Sequence, residues 1–396
     1  MAITATKGQT GLTGNSAVAY AMKQINPDVC AAYPITPSTQ IVEDFSGYVA
    51  DGEVTTELIT VESEHSAMSA CIGAAAAGAR VMTATSSQGL ALMWEMLYIA
   101  SGMRLPIVLA NVNRALSSPI NIHCDHSDSM GARDSGWVQL YSETVQEAYD
   151  NVFMAVRIAE HKDVLLPAMV CLDGFITSHA IENISLIEDQ EVRQFIGSYN
   201  AKASLLDTDK APTFGAMTLP DTYIEFKRQQ SEAMTRAKGA AIEVMKDFGK
   251  RFGREYGLFE TYRLEDAEAA IVVLNSAAGT TKVAVDALRK EGKKVGLLRP
   301  RLFRPFPWQE IAGALKGCKA ITVLDRADSM NAFGGPVFSE VRSALYDLDP
   351  RPRVMNRIYG LGGRDYKVKD AVEVFNEALK AAETGRVETL VKYITL

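Results

Sequence analysis

The stretch Leu58 to Thr85, LITVESEHSAMSACIGAAAAGARVMTAT, contains two short apolar runs joined by a polar turn and a run of small residues. Leu58–Val61 and Val81–Thr85 predict strands, and Ser66–Ala79 predicts a helix between them. A strand, a helix and a second strand in this order are typical of a parallel sheet covered by helices. The stretch therefore predicts an α/β fold.

The same alternation extends on both sides, from Gly14 to about Asp173. Further strands are predicted at Val29–Tyr33, Ile107–Val112 and Val164–Leu172, and further helices at about 15–25, 38–48, 86–99 and 145–159, the first capped by Asn15 or Ser16. This repeated order predicts a doubly wound, mostly parallel sheet with helices on both faces.

A second sheet is predicted further along the chain. Between Ile187 and Asp221 the periodicity fails, which predicts an arm across the surface, and Thr222–Arg251 predicts a long connecting helix. From near Tyr256, four strand-like runs alternate with four helix-like runs. We therefore expect domains at residues 1–252 and 253–396, with the arm and connecting helix at about 187–252, and the second domain as a smaller open α/β sheet.

Composition excludes several classes of protein. The 396 residues are 47% hydrophobic and carry a net charge of -7, without a basic tract that would favour nucleic acid. No apolar run approaches the roughly 20 residues of a membrane span, and Met1–Lys7 lacks a signal-peptide core, so we expect a cytoplasmic protein that does not bind membranes. The five cysteines are dispersed, which excludes an iron-sulfur cluster held by this chain alone.

Polar residues follow three of the predicted strands, at Tyr33-Pro34-Ile35-Thr36, Glu62-Ser63-Glu64-His65 and Asn113-Arg114. Glu64 is a candidate for a buried carboxylate that shares a proton with a cofactor, although from spacing alone a helix N-terminal carboxylate is the commoner explanation. Arg114 is a candidate for binding a substrate carboxylate. The alternative is that it is an ordinary surface arginine. Thr36 carries a hydroxyl on a stiff turn and is a candidate site residue. The alternative is that it only stabilises the turn. Together they predict an active-site edge.

Two other segments carry suggestive residue types. His123-Cys124-Asp125-His126 has metal-ligand residues, but their spacing converges poorly, so we expect this loop to cover a site or an interface and to hold no metal. Gly334-Gly335 and Gly360–Gly363 precede predicted helices, where anions can bind, but neither is a nucleotide fingerprint.

In these motifs the sequence resembles the alpha subunits of 2-oxoacid:ferredoxin oxidoreductases, in particular those of the pyruvate-oxidising enzymes. The resemblance covers essentially the whole chain. It rests on Ala32–Ser38, Glu62–His65, Ala75–Arg80, Asn113–Ser117, Asp125–Asp128, Arg133–Trp137, Leu298–Pro307 and Gly360–Gly363.

The resemblance implies a thiamine diphosphate-binding fold, with a pyrimidine-binding domain first and a transketolase C-terminal-like domain second. In that family a glutamate matched by Glu64 hydrogen-bonds N1′ of the cofactor, which favours the imino form that can remove the C2 proton. Thr36 and Arg114 match residues that hold the substrate carboxylate. Further implied cofactor contacts are Tyr33, Pro34, Ile35 and Ser87, and Asp125 and His126 are implied in an active-site loop.

The sequence lacks the other half of such a site. Asp173-Gly174 is preceded by leucine and is not followed by the asparagine of a diphosphate motif. The resemblance therefore implies a beta subunit that holds Mg2+ and the diphosphate, a gamma-type subunit, and a ferredoxin-like delta subunit with 4Fe-4S clusters. The implied reaction converts pyruvate and coenzyme A to acetyl-CoA and CO2, reversibly, with electrons passed to ferredoxin.

Three alternatives stay open at this point. A relative could act on branched-chain or other 2-oxoacids. Thr36 argues against oxalate or 2-oxoglutarate, because a second carboxylate would need a cation there. The chain could also be a non-catalytic scaffold subunit, or its second domain could be a flavodoxin-like electron carrier.

Overall fold

The structure is a computed structural model that describes residues 6–396, so part of the segment Met1–Lys7 considered above lies outside the described residues. The strands are β1 (Thr6–Thr13), β2 (Val29–Ala32), β3 (Glu57–Thr60), β4 (Val81–Thr85), β5 (Val108–Asn113), β6 (Val138–Ser142), β7 (Ala168–Asp173), β8 (Ile181–Ile187), β9 (Phe259–Tyr262), β10 (Ala269–Val272), β11 (Val295–Pro300), β12 (Leu302–Arg304), β13 (Ala320–Asp325), β14 (Arg353–Ile358) and β15 (Val391–Tyr393).

The helices alternate with these strands. They are α1 (Gly14–Ile25), α2 (Thr39–Ala50), α3 (Glu64–Ala76), α4 (Ser87–Leu92), α5 (Trp94–Gly102), α6 (Ser127–Gly131), α7 (Val145–Glu160), α8 (Asp189–Ile196), α9 (Tyr223–Phe252), α10 (Ala277–Lys290), α11 (Trp308–Leu315), α12 (Pro336–Ala344) and α13 (Val368–Thr384).

Seven strands form the first sheet, in the order β12-β6-β7-β5-β4-β2-β3. All neighbours are parallel except β12, which pairs antiparallel with β6. The chain moves from β2 outward to β3 and then back to β4 on the other side of β2. Ligand sites in open parallel sheets lie at such a reversal, beyond the carboxyl ends of the strands. The predicted doubly wound α/β fold is confirmed.

The second sheet has the order β15-β14-β13-β10-β11-β9 and is parallel except for β9. It contains the four strands predicted beyond residue 256, and the long connecting helix is present as α9. β1 and β8 form a separate antiparallel pair. Among the described residues, no helix is long and apolar enough to cross a membrane.

Of four hydrophobic clusters among the described residues, the two largest pack against the first sheet. One covers a face of the first sheet with α1, α7 and α9, and includes Phe153 and Phe248. The other begins under α3 and α5 and continues without interruption into the second sheet, joining Leu97 and Trp137 to Leu298. Because the second core belongs to both sheets, the mutual position of the two sheets is fixed by apolar packing.

Some predicted elements were wrong. Residues 189–196 form α8, where no periodic element was expected, and the helix predicted over 86–99 is divided at Met93, whose ψ of -2° departs from the helical value. The first helix is capped by Thr13, which accepts a hydrogen bond from the Ser16 N–H, and not by Asn15 or Ser16. Asn15 instead donates to the Pro37 carbonyl at 2.7 Å.

Candidate active site

Glu64 is the first residue of α3, at the carboxyl end of β3. The cap of α3 is Ser63, whose hydroxyl accepts a hydrogen bond from the Ser66 N–H at 3.2 Å. The Glu64 side chain is only 6% exposed, and within residues 6–396 its carboxylate has no hydrogen-bond or ion-pair partner. Because a buried carboxylate without a partner is costly, capping does not explain this residue. The carboxylate is available for a ligand.

Gly89 packs closely against the Glu64 carboxylate. A Cβ atom on Gly89 would lie 2.7 Å from Glu64 Oε1 and 2.4 Å from Thr85 Oγ1. Both oxygens therefore face the same glycine in α4. The Thr85 hydroxyl is also buried, and it has no hydrogen-bond partner in the described part of the chain. A buried carboxylate and a buried hydroxyl thus adjoin the same glycine without a partner among the described residues, so both are available to a polar ligand.

Arg114 and Thr36 are brought together by the order of the strands. Arg114 follows β5, and its guanidinium donates through Nη1 to the Thr36 carbonyl at 2.9 Å and through Nε to the Asn121 carbonyl at 3.0 Å. Arg114 is 6% exposed, and burial lowers its pKa while Asp128 opposes that shift. The guanidinium is therefore fixed in direction at the same sheet edge as Glu64.

The segment before Thr36 forms a turn between β2 and α2. Ile35 accepts hydrogen bonds at its carbonyl from the N–H and the hydroxyl of Ser38, each at 2.8 Å. Tyr33 is 38% exposed and Pro34 is exposed. This turn lies beyond the end of β2, where the sheet order reverses, so it borders the same edge.

Ser87 begins α4 with a left-handed φ of 46°, which is uncommon for a residue with a side chain. Its hydroxyl donates to the Ala115 carbonyl at 2.5 Å, and its N–H donates to the Asp128 carboxylate at 3.0 Å. These two contacts connect the start of α4 to the segment that carries Arg114.

The predicted loop residues Asp125 and His126 lie in different surroundings. Asp125 borders a cleft of about 390 Å3 and accepts a 2.9 Å hydrogen bond from the Ser127 N–H. His126 is 2% exposed, and its Nε2 lies 2.7 Å from Asp173 Oδ1. His126 thus faces the Asp173 cluster, away from the unpaired carboxylate of Glu64.

Asp173 is the centre of a buried contact between the two sheets. Arg326, at the end of β13, donates through Nη1 to Asp173 Oδ2 at 3.0 Å, and Asn275 donates to Oδ1 at 2.8 Å. Burial raises the pKa of Asp173, but the charge of Arg326 and the contact with His126 outweigh burial and hold that pKa well below its usual range. Cys124 lies beside them, 3.6 Å from Arg326 Nη1. The guanidinium therefore compensates the buried charge of Asp173.

The glycines at Gly360–Gly363 also serve this contact. Cβ atoms on Gly362 and Gly363 would lie 2.3 Å from Asn121 Nδ2 and 2.4 Å from His123 Cβ. Asn121 donates to the Gly362 carbonyl at 3.0 Å, so the active-site loop rests directly on this turn. The glycines allow the loop to pack closely on this turn. This packing explains their presence, so an anion-binding role is not needed to account for them.

Sequence reasoning missed Thr85, Gly89, Asp128 and Arg326. One signal was available for Asp128. Asn111 lies in the predicted strand Ile107–Val112 and Asn113 directly follows it, so if the strand continues by one residue both amides share one face and need a polar partner there. The close approach of Gly89 to Glu64 has no such signal, because it depends on how α3 and α4 meet.

Comparison with known proteins places this geometry in a family. Residues 20–246 match a family model described as "Pyruvate flavodoxin/ferredoxin oxidoreductase, thiamine diP-bdg", and residues 267–371 match "Pyruvate:ferredoxin oxidoreductase core domain II". A relative from Thermotoga maritima named "Pyruvate synthase subunit PorA" is 55% identical over 94% of this chain and 94% of its own length. The chain belongs to the pyruvate:ferredoxin oxidoreductase family.

Two further similar proteins carry other names. A relative from Pyrococcus horikoshii named "Ketoisovalerate oxidoreductase subunit VorA" is 44% identical over 97% of both chains. A solved 2-oxoglutarate:ferredoxin oxidoreductase from Magnetococcus marinus gives a TM-score of 0.73 at 21% identity, over 94% of this chain and 66% of that longer chain. At that identity the likeness concerns the fold.

The inferred family and enzyme class, an oxidoreductase of the 2-oxoacid:ferredoxin type, are thereby confirmed. Thiamine diphosphate is confirmed as the cofactor class of the family model that covers the first sheet. Relatives are named as subunits, so the expectation of partner subunits in general is also confirmed.

Proposed function

We propose that this chain is the alpha subunit of a pyruvate:ferredoxin oxidoreductase and supplies the pyrimidine half of a thiamine diphosphate site. The observation that carries the proposal is the Glu64 carboxylate, buried, unpaired among the described residues and facing Gly89. Its position at the reversal of the sheet order, on the same edge as Arg114, supports a shared role. Residues 1–252 would form the pyrimidine-binding domain, and residues 253–396 the transketolase C-terminal-like domain.

The residues present fit this cofactor. Glu64 can hydrogen-bond a ring nitrogen, and the Thr85 hydroxyl, unpaired among the described residues, adjoins the same glycine. The exposed turn at Tyr33 and Pro34 borders the same edge. When bound, thiamine diphosphate supplies a carbon nucleophile and an electron sink for the decarboxylation of 2-oxoacids.

Each residue of this chain has a separate task in that reaction. Glu64 would hold a proton at the ring nitrogen, because a carboxyl in a dry site exchanges a proton with little reorganisation. Arg114 would bind the 2-oxoacid carboxylate with a guanidinium that is already fixed by two carbonyls. The Thr36 hydroxyl would contact the same substrate.

The remaining parts of the reaction would belong to other chains. A beta subunit would hold Mg2+ and the diphosphate, and gamma-type and ferredoxin-like delta subunits would carry 4Fe-4S clusters. Pyruvate and coenzyme A would yield acetyl-CoA and CO2, with the electrons passed to ferredoxin. A cytoplasmic location is part of this proposal, since all five cysteines are unpaired.

A second candidate is oxidation of branched-chain 2-oxoacids. The 44% identity to the ketoisovalerate relative supports it, because that level is close to the identities of several pyruvate synthase relatives. Pyruvate and branched-chain 2-oxoacids both carry the carboxylate, so the same residues of this chain would bind it in either case. The choice between the two substrates therefore depends on the part of the pocket around the 2-oxoacid side chain.

The test is an anaerobic purification of the native complex. Coenzyme A-dependent reduction of a dye by pyruvate, 2-oxoisovalerate, 2-oxoglutarate and oxalate would be compared. We expect pyruvate to give the highest kcat/KM. Failure with all four substrates would exclude the proposed function, and preference for 2-oxoisovalerate would select the second candidate.

A matched pair of variants tests whether the chain is only a scaffold. Glu64→Gln should lower kcat at least about a hundredfold, because the proton at the ring nitrogen is lost. Glu62→Gln changes an exposed glutamate two residues away and should leave turnover close to that of the wild type. Gel filtration would confirm that both complexes assemble. Full activity of Glu64→Gln would identify a scaffold subunit.

A further inference from the structure

Asp128 is a buried carboxylate that no part of the proposed reaction uses. It lies in the short helix α6, and its side chain is 3% exposed. Five N–H groups donate to it at 2.7–3.2 Å, from Ser87, Asn111, Asn113, Arg114 and Ser129. We call these six residues the Asp128 network.

Two of the five donors belong to the active-site segments themselves. The backbone N–H groups of Ser87 and Arg114 donate to the same oxygen, Oδ2, at 3.0 and 3.1 Å. Ser87 starts α4, which contains Gly89, and Arg114 follows β5. One carboxylate oxygen therefore fixes the distance between the segment in front of Glu64 and the segment that carries the guanidinium.

The Ser87 contact also holds a strained backbone in place. A serine with φ near 46° lies in the left-handed region, a strained conformation that persists only when its surroundings hold it there. Within the described residues, two contacts hold Ser87 from the Arg114 side, Asp128 to its N–H and the Ala115 carbonyl to its hydroxyl.

The carboxylate is itself held rigidly. Ser129, next to Asp128, accepts hydrogen bonds at its hydroxyl from Tyr141 and Asn113, each at 2.8 Å, and its carbonyl accepts from Gln139 at 2.9 Å. An amide could not replace the carboxylate without loss, because both oxygens accept a backbone N–H and an NH2 group would oppose one of them.

We propose that Asp128 is a positioning residue for the 2-oxoacid reaction, which sets the cofactor-side segment at Ser87 against the substrate-side segment at Arg114. This inference rests on the proposed function. Asp128 does not contact the reacting atoms. It acts by holding Arg114 where the substrate carboxylate binds, and an error of about 1 Å in such a position can cost about a hundredfold in rate.

The test compares Asp128→Asn with Asp150→Asn in the purified complex. Asp150 is also fully buried and hydrogen-bonded, to Arg254 and Tyr256 at 2.6 Å, but it lies in α7, outside the site. We expect both variants to lower the melting temperature. Asp128→Asn should also raise KM for pyruvate about tenfold or more and weaken thiamine diphosphate binding measured by calorimetry. Asp150→Asn should change neither value beyond about threefold.

A double-variant cycle with Arg114→Lys separates this inference from the proposed function. If Asp128 acts through Arg114, the effects of the two changes on KM are not additive. Additive effects, or unchanged KM and cofactor affinity in Asp128→Asn, would overturn the positioning role. If Arg114→Lys alone leaves KM unchanged, the proposed substrate role of Arg114 fails instead.

Asn113→Ala covers the case in which Asp128→Asn does not assemble. It removes one donor to Oδ1 and leaves the carboxylate in place. A smaller rise of KM in the same direction, about two- to fivefold, would support the inference, and an unchanged KM with normal assembly would contradict it.

Discussion

The guanidinium of Arg114 is bonded to the backbone carbonyl of Thr36, Nη1 to O at 2.9 Å, although the two residues follow different strands. β4 separates β5 from β2 in the sheet, so this hydrogen bond spans the end of a strand between them. The Thr36 turn and the Arg114 segment therefore move as one unit at the active-site edge.

Arg114→Lys should weaken binding of the 2-oxoacid. A lysine has no planar fork and cannot reach the Thr36 and Asn121 carbonyls while it also faces a carboxylate. We expect KM for pyruvate to rise about ten- to a hundredfold with cofactor affinity unchanged, measured by dye reduction and calorimetry. Arg104→Lys is the control, because that guanidinium also donates to two backbone carbonyls, of Val164 and Leu165. An equal loss in Arg104→Lys would contradict the prediction.

Gly89→Ala should displace the Glu64 carboxylate. The new methyl group would lie 2.7 Å from Glu64 Oε1, closer than van der Waals contact allows. We expect kcat/KM to fall about a hundredfold with the complex still assembled. Gly73→Ala, in the same helix as Glu64, would place its methyl group in open space and should retain activity. Comparable kinetics of the two variants would show that Gly89 has no such role.

Glu147→Gln should alter the acid stability of the protein. Burial opposes the charge of Glu147, but Arg301 and Arg299 outweigh burial and lower its pKa from 4.5 to about 2. Because the folded pKa is below the unfolded value, the stabilisation is complete above about pH 4.5 and is lost as the pH falls toward 2. At pH 7 we expect the variant to be less stable by about 3 kcal/mol.

The difference in stability between wild type and Glu147→Gln should shrink as the pH falls from about 4.5 to 2. Urea unfolding of wild type and variant at pH 7, 5, 4 and 3 would measure it. Glu255→Gln, at an exposed glutamate, should change the free energy of unfolding little at any of these values. A difference in unfolding free energy between wild type and Glu147→Gln that stays constant across these pH values would contradict the assigned charge pairing of Glu147.

Arg326→Met should destabilise the contact between the sheets. Asp173 is completely buried, and loss of the Arg326 guanidinium leaves its charge only partly compensated, by His126, which costs about 3–5 kcal/mol. Adding Asp173→Asn should recover part of that loss, because the uncompensated charge is removed. Thermal unfolding would measure both variants. Lys319→Met, which breaks an exposed pair with Glu268, should cost less than about 1 kcal/mol.

The parallel core of the fold was predictable from the sequence, because buried strands and amphipathic helices carry strong patterns. The helix α7 and the connecting helix α9 agree with their predictions to within two residues at each end. β6 and the short strands β9, β12 and β15 were missed, since their place depends on neighbours far away in the chain. Pairing of that kind leaves little local signal.

The common sheet edge of the candidate residues was predictable from the sequence, but their contacts were not. Glu64 and Arg114 follow strands, so their common edge could be inferred. That His126 faces Asp173 and Arg326 could not be inferred, because the partners lie 47 and 200 positions away in the chain. The role of His126 in joining the sheets depends on packing that periodicity does not describe.

The strand β12 has a consequence for synthesis of the protein. Leu302–Arg304 forms the outer strand of the first sheet beside β6, although every other strand of that sheet precedes residue 174. During translation, the edge of β6 therefore stays open until more than a hundred further residues have left the ribosome. The first sheet is therefore complete only when a segment from within the proposed second domain, between β11 and α11, has been synthesised.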